Sequence, residues 1–336
     1  FVETSASNLT VLSDTRVSTS AAHGQAGEWL LDPTDFTVAS SGGDITGASL
    51  GSNLASGNVT IASSGGSAGT TGNINIYDNV SWSANTLTLN AGYNINVGSA
   101  SRTGSLTVSG AGALSLNPSA SSVAGYVAGG MVLMGMAATP SGGPGGNGFN
   151  GSINLSATDA TRLISSSANP VLKISGNKYT VIRTLGSSSD YSTSSNNYTL
   201  QGMAASNNVG GGYFALGNDI DASATSSWTN LNGGLGFYPI GKQGGGFAGG
   251  CDCRFWGVFD GLGHAVTNLY EYRPNVDQYS RGNVGLIAYA LINSRVSNIG
   301  VTGSISGKTS LGGLVAAFDS SSYTLPQIAN SYSTVA

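Results

Sequence analysis

Towards its C-terminus the chain writes nearly the same phrase twice. Val284-Gly285-Leu286-Ile287 leads on to Arg295-Val296-Ser297-Asn298-Ile299-Gly300-Val301, and Gly312-Gly313-Leu314-Val315 leads on to Gln327-Ile328-Ala329-Asn330-Ser331-Tyr332. Gly285 and Gly313 stand 28 residues apart, and Asn298 and Asn330 stand 32 apart. A short apolar block, a loop of variable length and an apolar-Ser/Ala-Asn step form a unit that cannot bury its apolar face alone. Such units stack on their neighbours, so the doublet predicts stacked coils.

Composition agrees with an ordered all-β body. Charged residues make up 8% of the 336, against roughly a quarter in an average domain, while Gly numbers 52 and hydrophobic residues reach 40%. Gly/Ser richness alone would suit a disordered chain. The apolar residues are arranged in short runs, however, and a net charge of −4 supplies little self-repulsion. With 12 Lys and Arg in all and no basic run, nucleic acid is excluded as a partner. No apolar stretch is long enough to span a membrane as a helix. The most apolar segment, Val123 to Ala138, carries Gly125, Gly129, Gly130 and Gly135 and reads as a buried or interface segment. The start Phe1-Val2-Glu3-Thr4 lacks the pattern of a signal peptide, and the chain reads as a piece of a longer protein.

Upstream, short alternating runs follow one another: Thr37-Val38, Asn58 to Ile61, Ile74 to Ile76, Leu87 to Leu89, Ile95 to Val97, Leu106 to Val108 and Leu114 to Leu116. Alternation over so few residues means strands with one buried face. Skipping one run at a time, Ile74 to Ile95, Leu87 to Leu106 and Ile95 to Leu114 give steps near 20 residues, which predicts one coil of a parallel β-helix. A sandwich would need tight hairpins, and the Asn-Gly pairs at Asn147, Asn150 and Asn232 fall outside this series.

The expected organisation is an opening segment over 1–35, β-helix coils over 36–175, an irregular excursion and return over 176–273, and repeat coils over 274–336. Within it, Gly135 to Gly151 and Ser187 to Asn197 read as loops, and Thr199 to Ser206 as the best helix candidate. Cys251-Asp252-Cys253 is too sparse for a metal site, with His23 and His264 far away in sequence. A tight local disulfide between Cys251 and Cys253, or a free pair, remains. No cofactor is expected.

Several phrases resemble the filamentous-haemagglutinin-like exoproteins of bacterial two-partner secretion. Gly24-Gln25-Ala26-Gly27-Glu28-Trp29-Leu30-Leu31-Asp32-Pro33-Thr34-Asp35 is similar to their G-x-W-L-L-D-P-x-D phrase. Asn218-Asp219-Ile220-Asp221-Ala222-Ser223 with Phe237-Tyr238-Pro239-Ile240-Gly241 resembles N-D-I-D-A followed by F-x-P-I-G. Phe259-Asp260-Gly261-Leu262-Gly263-His264 with Val266-Thr267-Asn268-Leu269 resembles F-D-G-L-G-H-x-I-x-N-L, and the doublet resembles the GLUG repeats that follow. The phrases come in family order from Gly24 onward. The insertion Cys251-Asp252-Cys253-Arg254 departs from the family's Gly-rich approach. The resemblance implies a secreted or surface-held right-handed parallel β-helix, exported by an outer-membrane barrel partner of the parent protein. It implies adhesion to a host-surface glycan or protein, without catalysis.

Chemistry-bearing residues gather in the irregular stretch. Asp219 and Asp221 fall on the same side of a strand, about 7 Å apart, and with Asp260 they could serve a polysaccharide hydrolase or lyase on the same scaffold. Against this, both read equally as turn caps, and His264 as structural. A glycan- or protein-binding module is a further alternative. Trp228, Phe237, Tyr238, Phe255 and Trp256 are candidate contact residues if they share an exposed face. Asp32 and Asp35 flank a Pro33 turn and offer too few oxygens for calcium. Asn8, Asn58, Asn79, Asn150, Asn154 and Asn197 match the glycosylation pattern, as chance allows in so Asn/Ser/Thr-rich a chain.

Overall fold

The computed structural model describes residues 1–65, 71–123, 126–138, 148–192, 198–205, 212–229, 234–241, 254–274, 283–308, 310–318 and 326–336, the side chains of 120–129 and 192 excepted. Strands dominate, and the chain divides into two compact units, Phe1–Tyr179 and Thr180–Ala336.

In the first unit the chain visits three sheets in turn, parallel except where Asn177–Lys178 pairs antiparallel with Leu172–Ile174 at the end of the first. The first sheet runs Val2–Ser5, Glu28–Asp32, Asn58–Ala62, Thr86–Ala91, Ala113–Pro118 and Leu172–Ile174. The second pairs Phe36–Ala39, Ile74–Tyr77, Ile95–Val97 and Val132–Met134, and the third pairs Asn79–Trp82, Gly104–Gly110 and Gly151–Ala157. Alternation places one residue in two inward, and parallel register places like on like. Trp29, Val59, Leu87, Leu114 and Leu172 therefore form one buried row, and Phe36, Ile74, Ile95 and Val132 another. Each inward side chain thus gains an apolar neighbour from the coil on either side.

The low charge now has a physical cause. Outward residues also stack in register, so a charge would face its own kind about 4.8 Å away, and like charges directly opposite are destabilising. Amides and hydroxyls instead bond along the stack: Asn96 donates to Asn75, Asn117 to Asn90 and Ser105 to Asn79, each at 2.8 Å.

Three findings differ from the sequence expectations. Asn58 and Thr86, neighbours in the first sheet, are 28 residues apart, and Asn90 and Asn117 are 27 apart, so 20 residues is not the coil length. Only the Ile74–Ile95 step joins true neighbours; Leu87 and Leu106 lie in different sheets, as do Ile95 and Leu114. The stack also begins before residue 36, since Glu28–Asp32 already belongs to it. Finally, an α-helix spans Gly47–Leu54, where the first circuit has no strand of the third sheet. Thr46 caps it, accepting from the Ser49 N–H, while Leu50 and Leu54 are buried. Gly47 and Gly51, one turn apart, let the helix lie directly on the Asn79 and Ser81 carbonyls and cover that sheet's edge.

The second unit also stacks parallel strands. Thr180–Ile182, Tyr213–Leu216, Val258–Arg273, Arg295–Gly307 and Gln327–Ala329 form its main sheet. The two long strands pair with register shifts between Asp260 and His264 and between Val266 and Leu269, which are corners. Leu262, Asn268 and Asn298 there take positive φ of 51°, 57° and 54°, a region asparagine tolerates better than most residues. Both parts of the doublet are in register: Ile287 bridges Val315, and Arg295–Ser297 pairs with Gln327–Ala329. Phe237, Phe255, Phe259, Ile287 and Ile299 lie among the buried core of this unit. Of the expected helix over 199–206, a short 3-10 turn at Gln201–Ala204 is present.

Candidate functional site

The chemistry-bearing side chains of the second unit sit at the corners of its coils. Asp260, 6% exposed, accepts from the Leu262 N–H at 2.9 Å, from Ser297 Oγ at 3.0 Å and from Asn298 Nδ2 at 2.9 and 3.1 Å. Burial pushes its carboxyl above the ordinary range, against the lowering effect of those hydrogen bonds. The Asn298 side chain then accepts from Asn330 Nδ2 at 2.7 Å, so one polar ladder runs Asp260–Asn298–Asn330.

Asp219 is exposed and differs in role. Its Oδ1 accepts from the Ala265 N–H at 2.9 Å and lies 3.3 Å from Nδ1 of the buried His264. The ring of Tyr332 packs over Gly300 where a side chain would otherwise stand. Burial pushes the Tyr332 hydroxyl up to about 12, with the charge of Asp219 adding to the shift. Asp221 bonds Asn268 Nδ2 and the Ser223 N–H, each at 3.0 Å, and these bonds hold its carboxyl below the ordinary range. The structure therefore separates the three aspartates. Asp260 is enclosed, whereas Asp219 and Asp221 stand at the surface on either side of the buried Ile220.

The aromatic candidates require a correction. Phe237, Tyr238 and Phe255 are buried, and Trp228 packs partly buried against the same core. Their apolar rings fill the interior between coils, which leaves Trp256, 51% exposed, as the one of the five in solvent. Tyr238 stacks on Tyr191 with ring centroids 4.5 Å apart and lies beneath the Arg273 guanidinium. Arg273 is buried with Glu271, Nε to Oε1 at 3.0 Å, and Glu271 Oε2 also accepts from the N–H of Gly285 in the doublet. Cys251 and Cys253 lie outside the described residues, as does Asn197.

No family model matches the chain, and no solved structure matches it. Among curated proteins, it is 32% identical over 133 residues to Halomucin of Haloquadratum walsbyi, a match covering 32% of this chain and 1% of Halomucin. The chain thus spans about 1% of the length of the relative it matches.

In the first unit, Asp35 behaves as a turn residue, its Oδ1 accepting the N–H groups of Gly72 and Asn73. Asn58, Asn79, Asn150 and Asn154 spend their side chains on hydrogen bonds within or between coils. Asp32 lines an open groove of about 540 Å³ together with Asn90 and Asn117. Sequence reasoning did not single out those two asparagines. The available signal was that Leu87-Thr88-Leu89-Asn90 and Leu114-Ser115-Leu116-Asn117 end alike. Among the described residues no group of three or more His, Cys, Asp or Glu could hold a metal ion, and no helix is long and apolar enough to cross a membrane.

Proposed function

We propose that this chain is an adhesin segment of the filamentous-haemagglutinin-like type, secreted or held at the cell surface. In this reading each unit is a right-handed parallel β-helix of stacked coils whose corners and loops meet the target surface. The observation that carries it is the in-register doublet, with Asn298 bonded to Asn330 32 residues on. A ladder of this kind extends by repetition and needs no pocket. Partial similarity to Halomucin, a far longer protein, agrees with a segment built into a much larger chain. Export through an outer-membrane barrel belongs to the same reading, as a property of the parent protein. The test is attachment: beads coated with the chain should bind mucin-coated or epithelial surfaces at least about tenfold more than beads coated with an unrelated parallel β-helix. Equal attachment would remove the adhesin assignment.

A polysaccharide-cleaving enzyme is the second reading, and the contact of Asp219 with buried His264 is the observation that favours it. It requires new reducing or unsaturated chain ends from some polysaccharide in a panel, released by the chain and not by its Asp219→Asn variant.

A further inference from the structure

We infer that the groove on the first unit is a binding site for an extended neutral glycan, laid across the coils. The inference deepens the surface-attachment reading by giving it a site and a ligand class, and it rests on that reading.

The groove follows from the register of the first sheet. Leu31, Ile61, Leu89 and Leu116 are stacked partners, so the residues after them, Asp32, Ala62, Asn90 and Asn117, occupy one outward row. Ala62 is small, which leaves a dip in the row between Asp32 on one side and the Asn90–Asn117 pair on the other. Pro118 closes one side. The volume, about 540 Å³, falls in the range of small-ligand sites, roughly 300–1,000 Å³.

Its hydrogen-bonding groups are poised for hydroxyls. Asn117 donates from Nδ2 to Asn90 Oδ1 at 2.8 Å, which fixes both amides and leaves Asn90 Nδ2 as a donor and Asn117 Oδ1 as an acceptor. Neither atom has a partner among the described residues, nor does the Asp32 carboxylate. A hydroxyl both donates and accepts, so donor, acceptor and carboxylate in a row suit a polyhydroxylated chain. Ala62 and Pro118 supply the apolar patches on which the C–H face of a sugar ring rests. Three coil steps of about 4.8 Å separate Asp32 from Asn117, room for about three sugar residues.

Charge and backbone exclude two other occupants. The lining holds one carboxylate and no Lys or Arg, so a sulfated or uronic glycan gains no ion pair and meets a like charge. A peptide strand cannot add here by backbone pairing, because these strands lie inside the sheet with their ladder bonds already made.

The full 336-residue chain should be titrated against fluorescent oligosaccharides of β-glucan, mannan, xylan and chitin, with heparin, alginate and a Ser-rich peptide as comparison arms. Saturable binding to at least one neutral oligosaccharide is expected. It should weaken tenfold or more in the Asn90→Ala/Asn117→Ala double variant and in Ala62→Trp, which fills the groove. Asn96→Ala, on a different sheet of the unit, should bind as the parent does, with unfolding midpoints compared throughout. Absence of neutral-glycan binding, unchanged binding in both groove variants, or preference for heparin, alginate or peptide would overturn the inference. If beads coated with the groove variants still attach to surfaces, the adhesin reading stands without this groove. If oligosaccharide binds while coated beads do not attach, the groove stands and the adhesin reading falls.

Discussion

Asn330 donates from Nδ2 to the side-chain oxygen of Asn298 at 2.7 Å across 32 residues of sequence, and both take left-handed backbone, with φ of 47° and 54°. The pair joins two demands in one residue type. The corner needs a residue that tolerates positive φ, and the stack needs a donor and acceptor to bond the coils on each side. Asn298 uses both ends, its Nδ2 donating to buried Asp260 and its Oδ1 accepting from Asn330. Asn298→Ala should cost about 3 kcal/mol, because a buried carboxylate loses its donor and alanine strains the corner. Asn298→Gly should recover about 1 kcal/mol of that by removing the strain alone. Urea unfolding of the three proteins measures this, and midpoints indistinguishable from the parent would refute the ladder's role.

The buried Asp260 carboxyl also predicts a pH dependence. Its folded pKa is raised above the ordinary 3.8, chiefly by desolvation, so the folded state holds this proton more tightly than the unfolded chain. The contribution is full below 3.8 and is lost as pH rises through the raised value, after which it is level. Asp260→Asn removes this titration. Plotted against pH from 3.5 to 8, the stability of the parent relative to Asp260→Asn should therefore decline and then flatten. Parallel curves would contradict the assignment. Asp221 runs the opposite way, its lowered carboxyl losing stability as pH falls, so the difference between the two proteins is the quantity to read.

The doublet was legible because a left-handed corner and an apolar step both leave marks in residue type: Asn at the corner, Val or Ile before it. The coil length was not legible. All three faces of the first unit alternate apolar and polar in the same way, so nothing in Leu87-Thr88-Leu89 or Leu106-Thr107-Val108 says which sheet it joins. The Ile74–Ile95 step of 21, a true pair, made the false steps look like the same period. The helix at Gly47–Leu54 was hidden by its two glycines, which lower helix propensity yet are what bring it onto Asn79 and Ser81. Whether the aromatic cluster faces inward or outward was not legible, because Phe237, Tyr238 and Phe255 fall in an irregular stretch, where periodicity gives no inward or outward label. The groove asparagines passed unnoticed because their row exists only once the coils are in register.

Glu271 and Arg273 are buried together, and the pair should behave asymmetrically. Arg273→Met leaves a buried carboxylate without its guanidinium and frees the Phe237 carbonyl that Arg273 Nη2 now bonds. A loss of about 3–5 kcal/mol is expected. Adding Glu271→Met should restore part of the loss, short of the parent because the Gly285 N–H also loses its acceptor. A double-mutant cycle in denaturant reads the coupling. Additive single losses would show that the two side chains act independently.

Gly104 and Gly151 are register partners in the third sheet, and each faces a carbonyl that is itself stacked in the second: Ile76 for Gly104 and Val97 for Gly151. Those carbonyls already accept N–H bonds from Gly98 at 2.8 Å and Gly135 at 2.7 Å. A methyl at either glycine would run into the carbonyl and push it off its donor. Gly104→Ala and Gly151→Ala should each cost about 1–3 kcal/mol, the range for forced overpacking. The same corner recurs in successive coils, so one shift of backbone can relieve both. The double variant should therefore cost less than the sum of the singles. Thermal or urea unfolding of the four proteins decides it: additive losses would mean that each coil yields separately, and losses below about 0.5 kcal/mol would mean that the close approach is not needed at all.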